Sequence, residues 1–317
     1  MVKMKVVAVT MASLVLIASL ALGMTLLADS DVKVAYSEKV NYETLIVANE
    51  KGWLEGNGIQ GVLVTGGIQA AEALITGSVD MAVMGDGPAV QLITKGIGAK
   101  IVARFIGGEG VHRFIANASI LVPTDIEGKT VGLQGSSSSH AAFLNWAQEN
   151  GVNMSNVTVL PMNPMDIPLA MQNGDIQVMA GSEPWAVNTE NRCGDAVHEI
   201  GNSSGLGSIY PMVLVASEKV LRDNPDSVRA MVEVMVRANE FINENWTEAM
   251  EMCSSRTGLS LDDQARCSAV QFYEVGFNET DVESINIAAE AMLAFNKINH
   301  LPEVWTHVDT RFLPTDE

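Results

Sequence analysis

The chain runs to 317 residues, 47% of them hydrophobic, with a formal net charge of −19. That length and apolar content can bury the cores of two ordinary domains, and the shortage of Lys and Arg argues against nucleic acid, whose phosphate backbone needs cations. The acidity suits a solvated exterior surface but does not forbid an anionic ligand in a cleft, because surface charge is screened over about 8 Å at physiological salt.

Lys3 and Lys5 precede an uncharged run from Val6 to Ala28, and Asp29 and Asp31 follow it. Two cations, a long apolar stretch and an acidic exit predict export with the N-terminus inside. Residues 1–30 therefore read as a signal peptide, with Ala21-Leu22-Gly23 as a cleavage site, or as an uncleaved membrane anchor, since roughly 20 apolar residues span a bilayer. No cysteine precedes Cys193, which excludes a lipid-modified N-terminal cysteine. Six N-x-S/T sequons, at Asn117, Asn153, Asn156, Asn202, Asn245 and Asn278, suit the same exterior placement.

From Val32 the chain alternates strand-like and helix-like stretches. "VKVAY" reads as a strand, "YETLIVANEKGWL" as a helix, "GVLVTGG" as a strand and "QAAEALITG" as a helix. "DMAVMG", "PAVQLITKG" and "KIVARFIGG" continue as strand, helix and strand. The grammar restarts after Ile120 with "GKTVGLQ", "SHAAFLNWAQENG", "VTVLPM", "MDIPLAMQNG" and "DIQVMAG". Such alternation implies two α/β lobes, each a mostly parallel sheet flanked by helices.

The C-terminal third is helical. Asn224-Pro225 opens a helix, and Val228, Met231, Val232, Met235 and Phe241 mark its apolar face. Its methionines are expected to fill core. Cys253 and Cys267 flank the turn-like "CSSRTGLSLDDQARC" and are expected to pair in an oxidising exterior. Closing such a loop stabilises by about 3 kcal/mol in the chain-entropy model.

A faint repeat relates "ALITGSVDMAVMGDGPAV" from Ala73 to "AMQNGDIQVMAGSEPWAV" from Ala170. Both end an apolar strand on a glycine, an acid, Pro and Val, so the two lobes should present similar loops at a strand's carboxyl end, where open α/β sheets bind ligands. Between them lies "LQGSSSSHAAFLNW". Gly135 permits a tight turn, one serine caps the helix that follows, and the free amides of its first turn favour a negative ligand. The competing reading is a capped helix after a mobile loop.

Three stretches together, "GGIQAAEALITGSVDMAVMGDGPAV", "DIEGKTVGLQGSSSSHAAFLNW" and "DIPLAMQNGDIQVMAGSEPWAV", carry a resemblance. The chain resembles the solute-binding proteins of ABC importers, in the branch that handles nitrate, sulfonate, taurine and thiamine-precursor pyrimidines. The resemblance runs from about Val32 to Glu303 and implies a two-lobed, periplasmic-binding-protein-like type II fold. Lobe one would hold residues 31–115 and 216–317, and lobe two residues 116–215 with hinge strands near Ala116–Leu121 and Tyr210–Val215. Carried over by motif, the ligand cleft would be lined by Tyr36, Asn41, Tyr42, Gly67, Gln69, Gly85 and Asp86 from lobe one. Ser136, Ser137, Ser138, His140, Glu183 and Trp185 would come from lobe two.

The resemblance implies no catalytic residue, metal or cofactor. It implies a small anionic or zwitterionic solute, a membrane permease as partner and a monomeric chain. An exposed Glu183 would repel an anion unless it meets an amine, so Asp86 and Glu183 holding an ammonium while the serines hold a sulfonate would suit taurine. Asp86 as a turn-stabilising residue, Trp185 as an apolar plug and His140 as a structural donor are the competing roles. The rivals are a pyrimidine-precursor binding protein, a sensor domain, and a same-fold enzyme; the cysteine-rich motif of the enzyme is absent here.

Overall fold

The computed structural model describes residues 32–135, 137–294 and 296–314. The apolar N-terminal run and Ser136 lie outside the described residues. Among the described residues no helix is long and apolar enough to cross a membrane.

The first half builds β1 (Val32–Tyr36), α1 (Glu43–Glu50), β2 (Ile59–Leu63), α2 (Gly67–Ile75), β3 (Met81–Gly85), α3 (Asp86–Thr94) and β4 (Ala99–Gly107). The chain then enters β5 (His112–Asn117), β6 (Thr130–Leu133), α4 (Ser138–Glu149), β7 (Thr158–Pro161), α5 (Ile167–Asn173), β8 (Val178–Ser182), α6 (Trp185–Cys193) and β9 (Val197–Asn202). It returns through β10 (Met212–Ser217) to α7 (Glu218–Asp223), α8 (Pro225–Glu244), α9 (Trp246–Thr257), α10 (Leu261–Ser268), β11 (Phe272–Gly276) and α11 (Glu279–Ala294).

Two sheets result, ordered β11-β4-β10-β3-β1-β2 and β7-β6-β8-β5-β9. Both are mixed. β1 runs parallel to β3, while β10 runs antiparallel to β3 and β4. β6 runs parallel to β7 and β8, while β5 runs antiparallel to β8 and β9. Central strands such as β3 and β10 are buried almost throughout because helices cover both faces, which is why they read as unbroken apolar runs. Met231 and Met235 of α8 are fully buried core, as their spacing indicates.

The chain crosses between sheets at 108–111 and returns at 203–211. β5 pairs entirely within the second sheet and β10 entirely within the first, so the first crossing precedes the expected Ala116–Leu121 and the second overlaps the start of the expected Tyr210–Val215. The crossing segments hold each other: Gly108 N donates to Ile209 O at 2.7 Å and Ser203 N to His112 O at 2.9 Å.

The lobes also touch away from the crossings. Val187 of α6 packs with Val40, Leu259 and Cys267 of the first lobe, and Arg266 Nη1 meets Glu190 Oε2 at 3.4 Å. The expected Cys253–Cys267 disulfide is not formed; both thiols are free and buried. Their helices turn them toward different neighbours. Cys253 feels the charges of Glu43 and Glu50 on α1, whereas Cys267 lies at the interlobe seam beside Val187.

Candidate functional site

The carboxyl ends of β1, β2, β3, β6 and β8 each lead through a short connection into a helix, and those helix starts converge on one interlobe pocket. Helix N-termini carry unpaired amides and the positive end of the dipole, so the convergence favours an anion. The two loops of the faint repeat, at Gly85 and at Ser182-Glu183, follow β3 and β8 and both stand on the pocket's wall.

At α2 the N-cap is Gly66, which has no side chain to cap the first turn, and Gly66, Gly67 and Ile68 form pocket wall. A Cβ on Gly67 would stand 3.1 Å from Met84 Cβ, so glycine lets the helix start lie against β3. At α4, Ser137 Oγ caps the His140 amide at 3.3 Å and donates to Gln134 O at 2.7 Å. Ser138 Oγ instead accepts from the Gly87 amide of the other lobe at 3.1 Å. The tract thus divides between a helix cap and a contact across the cleft.

The acids are spent inside the protein. Glu183 is buried; its Oε1 accepts from Arg113 Nη1 at 2.8 Å and its Oε2 from the Val187 amide at 2.9 Å. Arg113 also pairs with Glu190 and Glu199. The expectation of an exposed Glu183 open to a ligand amine is therefore corrected: β5 alternation turns Arg113 onto it. Asp86 is fully buried, with Oδ1 accepting from the Gly87 amide at 2.6 Å. Burial raises its carboxyl to about 6, against the opposing bonds from Ser138 and Gly87.

Lys39 is the only lysine or arginine on the pocket wall among the described residues. Its Nζ stands 5.7 Å from the Trp185 ring centroid, a cation–π contact between lobes. Burial lowers its pKa from the usual lysine value. Lys39, Gln134 and Trp185 also separate two compartments. The inner one has a volume of about 90 Å³ and a polar wall. The outer one, about 430 Å³, is faced by Met162, Pro164, Met165 and Pro184.

A family profile described as "NMT1/THI5 like" matches residues 39–249, from Lys39 in the pocket loop into α9. The chain belongs to the NMT1/THI5-like family. Its sequence is 26% identical to a Brucella abortus protein named as a binding protein, over 211 residues that span 65% of each chain. The match thus covers just under two thirds of that relative's length. Its fold matches the alkanesulfonate-binding protein of Xanthomonas axonopodis pv. citri bound to MOPS, with TM-score 0.79 at 19% identity over 89% of this chain and 99% of that one. It also matches the periplasmic aliphatic sulphonate-binding protein of Escherichia coli, with TM-score 0.79 at 16% identity over 91% and 95%. A desulfurization enzyme shares the fold at TM-score 0.66 and 12% identity, over 89% and 96%. These likenesses establish the periplasmic-binding-protein-like fold.

In this NMT1/THI5-like chain, Asn41, Tyr42, Gly67, Gly85, Ser137, Ser138, Glu183 and Trp185 stand on the inner wall and Gln69 on the outer one. Tyr36, Asp86 and His140 stand on neither. Tyr36 packs against Gly61, whose added Cβ would meet its ring at 2.8 Å, and burial raises its hydroxyl to about 12. His140 is buried in the first turn of α4, and burial followed by the Lys297 charge lowers its imidazole to about 4. Lys39 and His112 are the basic residues of the inner wall absent from the sequence-based set, beside apolar and small polar ones such as Val40, Gln134, Ser139 and Met212. Lys39 had one signal, a lone cation in the loop after the first strand; His112 stood in the sole basic doublet near a cleft strand, and alternation sends its two members to opposite faces.

Proposed function

We propose that this chain is the extracytoplasmic solute-binding component of an ABC importer and that it captures a small organic anion of the sulfonate class. The observation that carries the reading is the inner compartment, where helix starts and the Lys39 ammonium converge while the nearby acids are engaged elsewhere. Hydrogen bonds to a charged group contribute about 1.5–3 kcal/mol each, so a few supply much of the roughly 8 kcal/mol of micromolar binding.

The shape selects among anions. A sulfonate head suits the inner compartment and an apolar tail suits the methionine- and proline-faced outer one. Taurine's ammonium would find Glu183 paired with Arg113 and Asp86 turned inward, which leaves, among the described residues, only Glu38 on the outer wall, itself 3.7 Å from Arg256. Nitrate would leave the outer compartment unused. Contacts supplied by both lobes exist together only when the lobes meet, so binding shifts the population toward the closed form, which would dock on the permease. The lysine-flanked apolar N-terminal run supports export. A catalytic reading has less support: no cysteine faces either compartment among the described residues.

A thermal-shift screen of alkanesulfonates, taurine, nitrate and pyrimidine precursors tests the proposal. A ligand at 100 times its Kd stabilises by about 2.7 kcal/mol, and hexanesulfonate should exceed taurine and nitrate. Stabilisation by a pyrimidine and by none of the anions would overturn it.

A further inference from the structure

His112 opens β5 at the point where the chain has just crossed between the sheets. It is 4% exposed and forms part of the inner compartment's wall. Neither Nδ1 nor Nε2 has a hydrogen-bond partner. Its ring meets that of Tyr210 edge to face, with centroids 4.7 Å apart, and Tyr210 belongs to the returning crossing segment with φ of +44°. A buried polar side chain without partners is costly unless something supplies them, and a ligand in the compartment that His112 lines would be placed to do so.

We propose that His112 is a ligand contact in the inner compartment and takes up a proton as an oxyanion binds, so that solute capture is proton-coupled. The inference rests on the anion-binding reading of the same pocket. In the free protein burial holds the imidazole neutral, lowering it to about 3. A neutral ring has one N–H and one bare nitrogen. The bare nitrogen opposes an oxygen lone pair, whereas the protonated ring offers a second donor and a compensating charge. An anion at contact therefore favours the protonated ring, and by linkage the protonated ring favours the anion.

The groups around His112 set the alternatives. Lys39 across the pocket opposes its protonation. Glu183, from the connection after β8, is compensated by Arg113 on the opposite face of β5. Asp86, at the start of α3, acts on Tyr210 through its charge, and its Oδ2 has no hydrogen-bond partner. Tyr42, also on the wall, is held neutral because burial raises its hydroxyl. Asp86, Lys39, whose pKa burial lowers, His140 in the first turn of α4 and Glu43 beside Tyr42 are the competing proton acceptors, so the loss of uptake in the His112 variant is the deciding readout.

Titration calorimetry with 1-hexanesulfonate separates them. The probe stays anionic from pH 5 to 8, so any linked proton belongs to the protein. In buffers of different ionisation enthalpy, the wild-type chain should take up close to one proton at pH 5.5 and less at pH 8. Its affinity should fall by up to about tenfold per pH unit where uptake is complete. His112→Gln should bind more weakly and without proton uptake, and Asp86→Asn should retain the uptake. Enthalpies independent of buffer, or uptake kept in His112→Gln, would overturn the inference while leaving the anion site intact. Failure of the wild-type chain to bind any sulfonate would overturn both. If His112→Gln does not fold, NMR titration of histidine-labelled wild-type chain decides the matter. With His140→Gln used to assign the signals, the bound form must show the His112 imidazole titrating well above its position in the free form, and a shift confined to His140 would overturn the inference.

Discussion

Gly87 and Ser138 join the two lobes backbone to side chain: the Gly87 amide donates to Ser138 Oγ at 3.1 Å. The approach is so close that a Cβ on Gly87 would lie 2.7 Å from the Ser138 amide nitrogen. The contact adjoins the inner compartment, since Ser138 stands on its wall and Gly87 lies between the wall residues Gly85 and Pro88. The contact therefore couples two events, the meeting of the lobes and the assembly of the pocket.

Gly87→Ala acts on closure rather than on the lobe's own folding. Alanine is a better helix residue than glycine, so the first lobe by itself should lose no stability, but the ligand-free chain already holds the Gly87–Ser138 contact and its melting temperature should fall. The added methyl cannot coexist with the Ser138 backbone, so the closed form is penalised. Sulfonate affinity by calorimetry should fall at least about tenfold, the equivalent of 1.4 kcal/mol. Unchanged affinity would show that the Gly87–Ser138 contact is not part of the bound state.

Lys39→Gln tests the source of the positive potential. A charge-assisted bond contributes about 1.5–3 kcal/mol, so binding should weaken by about ten- to a hundredfold. The salt dependence of affinity should flatten as well, because the lost term is the one that salt screens. Calorimetry at two ionic strengths reads both. A variant that binds weakly yet keeps the full salt dependence would place the charge recognition elsewhere.

The serine tract makes two different predictions from adjacent residues. Ser137 is the N-cap of α4 and accepts from the His140 amide, so Ser137→Ala should cost about 1 kcal/mol of folding stability. Ser138 caps nothing and reaches across the cleft. Ser138→Ala should leave urea unfolding nearly unchanged and weaken sulfonate binding several-fold. Reversal of the two phenotypes would exchange their roles.

How much of this was legible in the sequence follows from which features are local. β3 and β8 are buried on both faces and end at similar loops, so the repeat around Gly85-Asp86 and Ser182-Glu183 exposed both the fold and one half of the pocket. The serine tract after β6 was legible as a helix start because turn and cap chemistry lies within a few residues. The first crossing lies earlier than expected because only residues 108–111 separate β4 from β5 and nothing in composition marks where one sheet hands the chain to the other. The charge of Glu183 was misjudged because its partner Arg113 is distant in sequence. The cysteine pairing failed for the same reason: spacing brings Cys253 and Cys267 near, but α9 packs on α1 and α10 packs at the seam, and this turns the thiols apart.

Glu43 carries the last prediction, on stability and pH. It opens α1 directly after the pocket residue Tyr42 and is fully buried, with Oε1 accepting from Ser268 Oγ at 2.8 Å and Gln264 Nε2 at 3.2 Å. Its Oε2 has no partner. Burial raises the carboxyl from 4.5 to about 7, against the opposing bonds from the Glu43 amide, Ser268, Gln271 and the Asn41 amide. Between those values the folded protein keeps a proton that the unfolded chain has released, so stability falls as pH rises from about 4.5 to about 7. The full effect is about 3 kcal/mol at 1.36 kcal/mol per pKa unit. Asp86, raised to about 6, acts in the same direction and is common to both proteins compared. Glu43→Gln keeps an acceptor for Ser268 and Gln264 and carries no charge to desolvate. Its stability relative to wild type, from urea midpoints, should be lower or equal near pH 5, where the helix start loses a carboxyl, and should rise steadily to an advantage by pH 8. A difference that stays constant from pH 5 to 8 would mean that Glu43 is ionised in the folded chain throughout, and that its unpartnered oxygen finds compensation there.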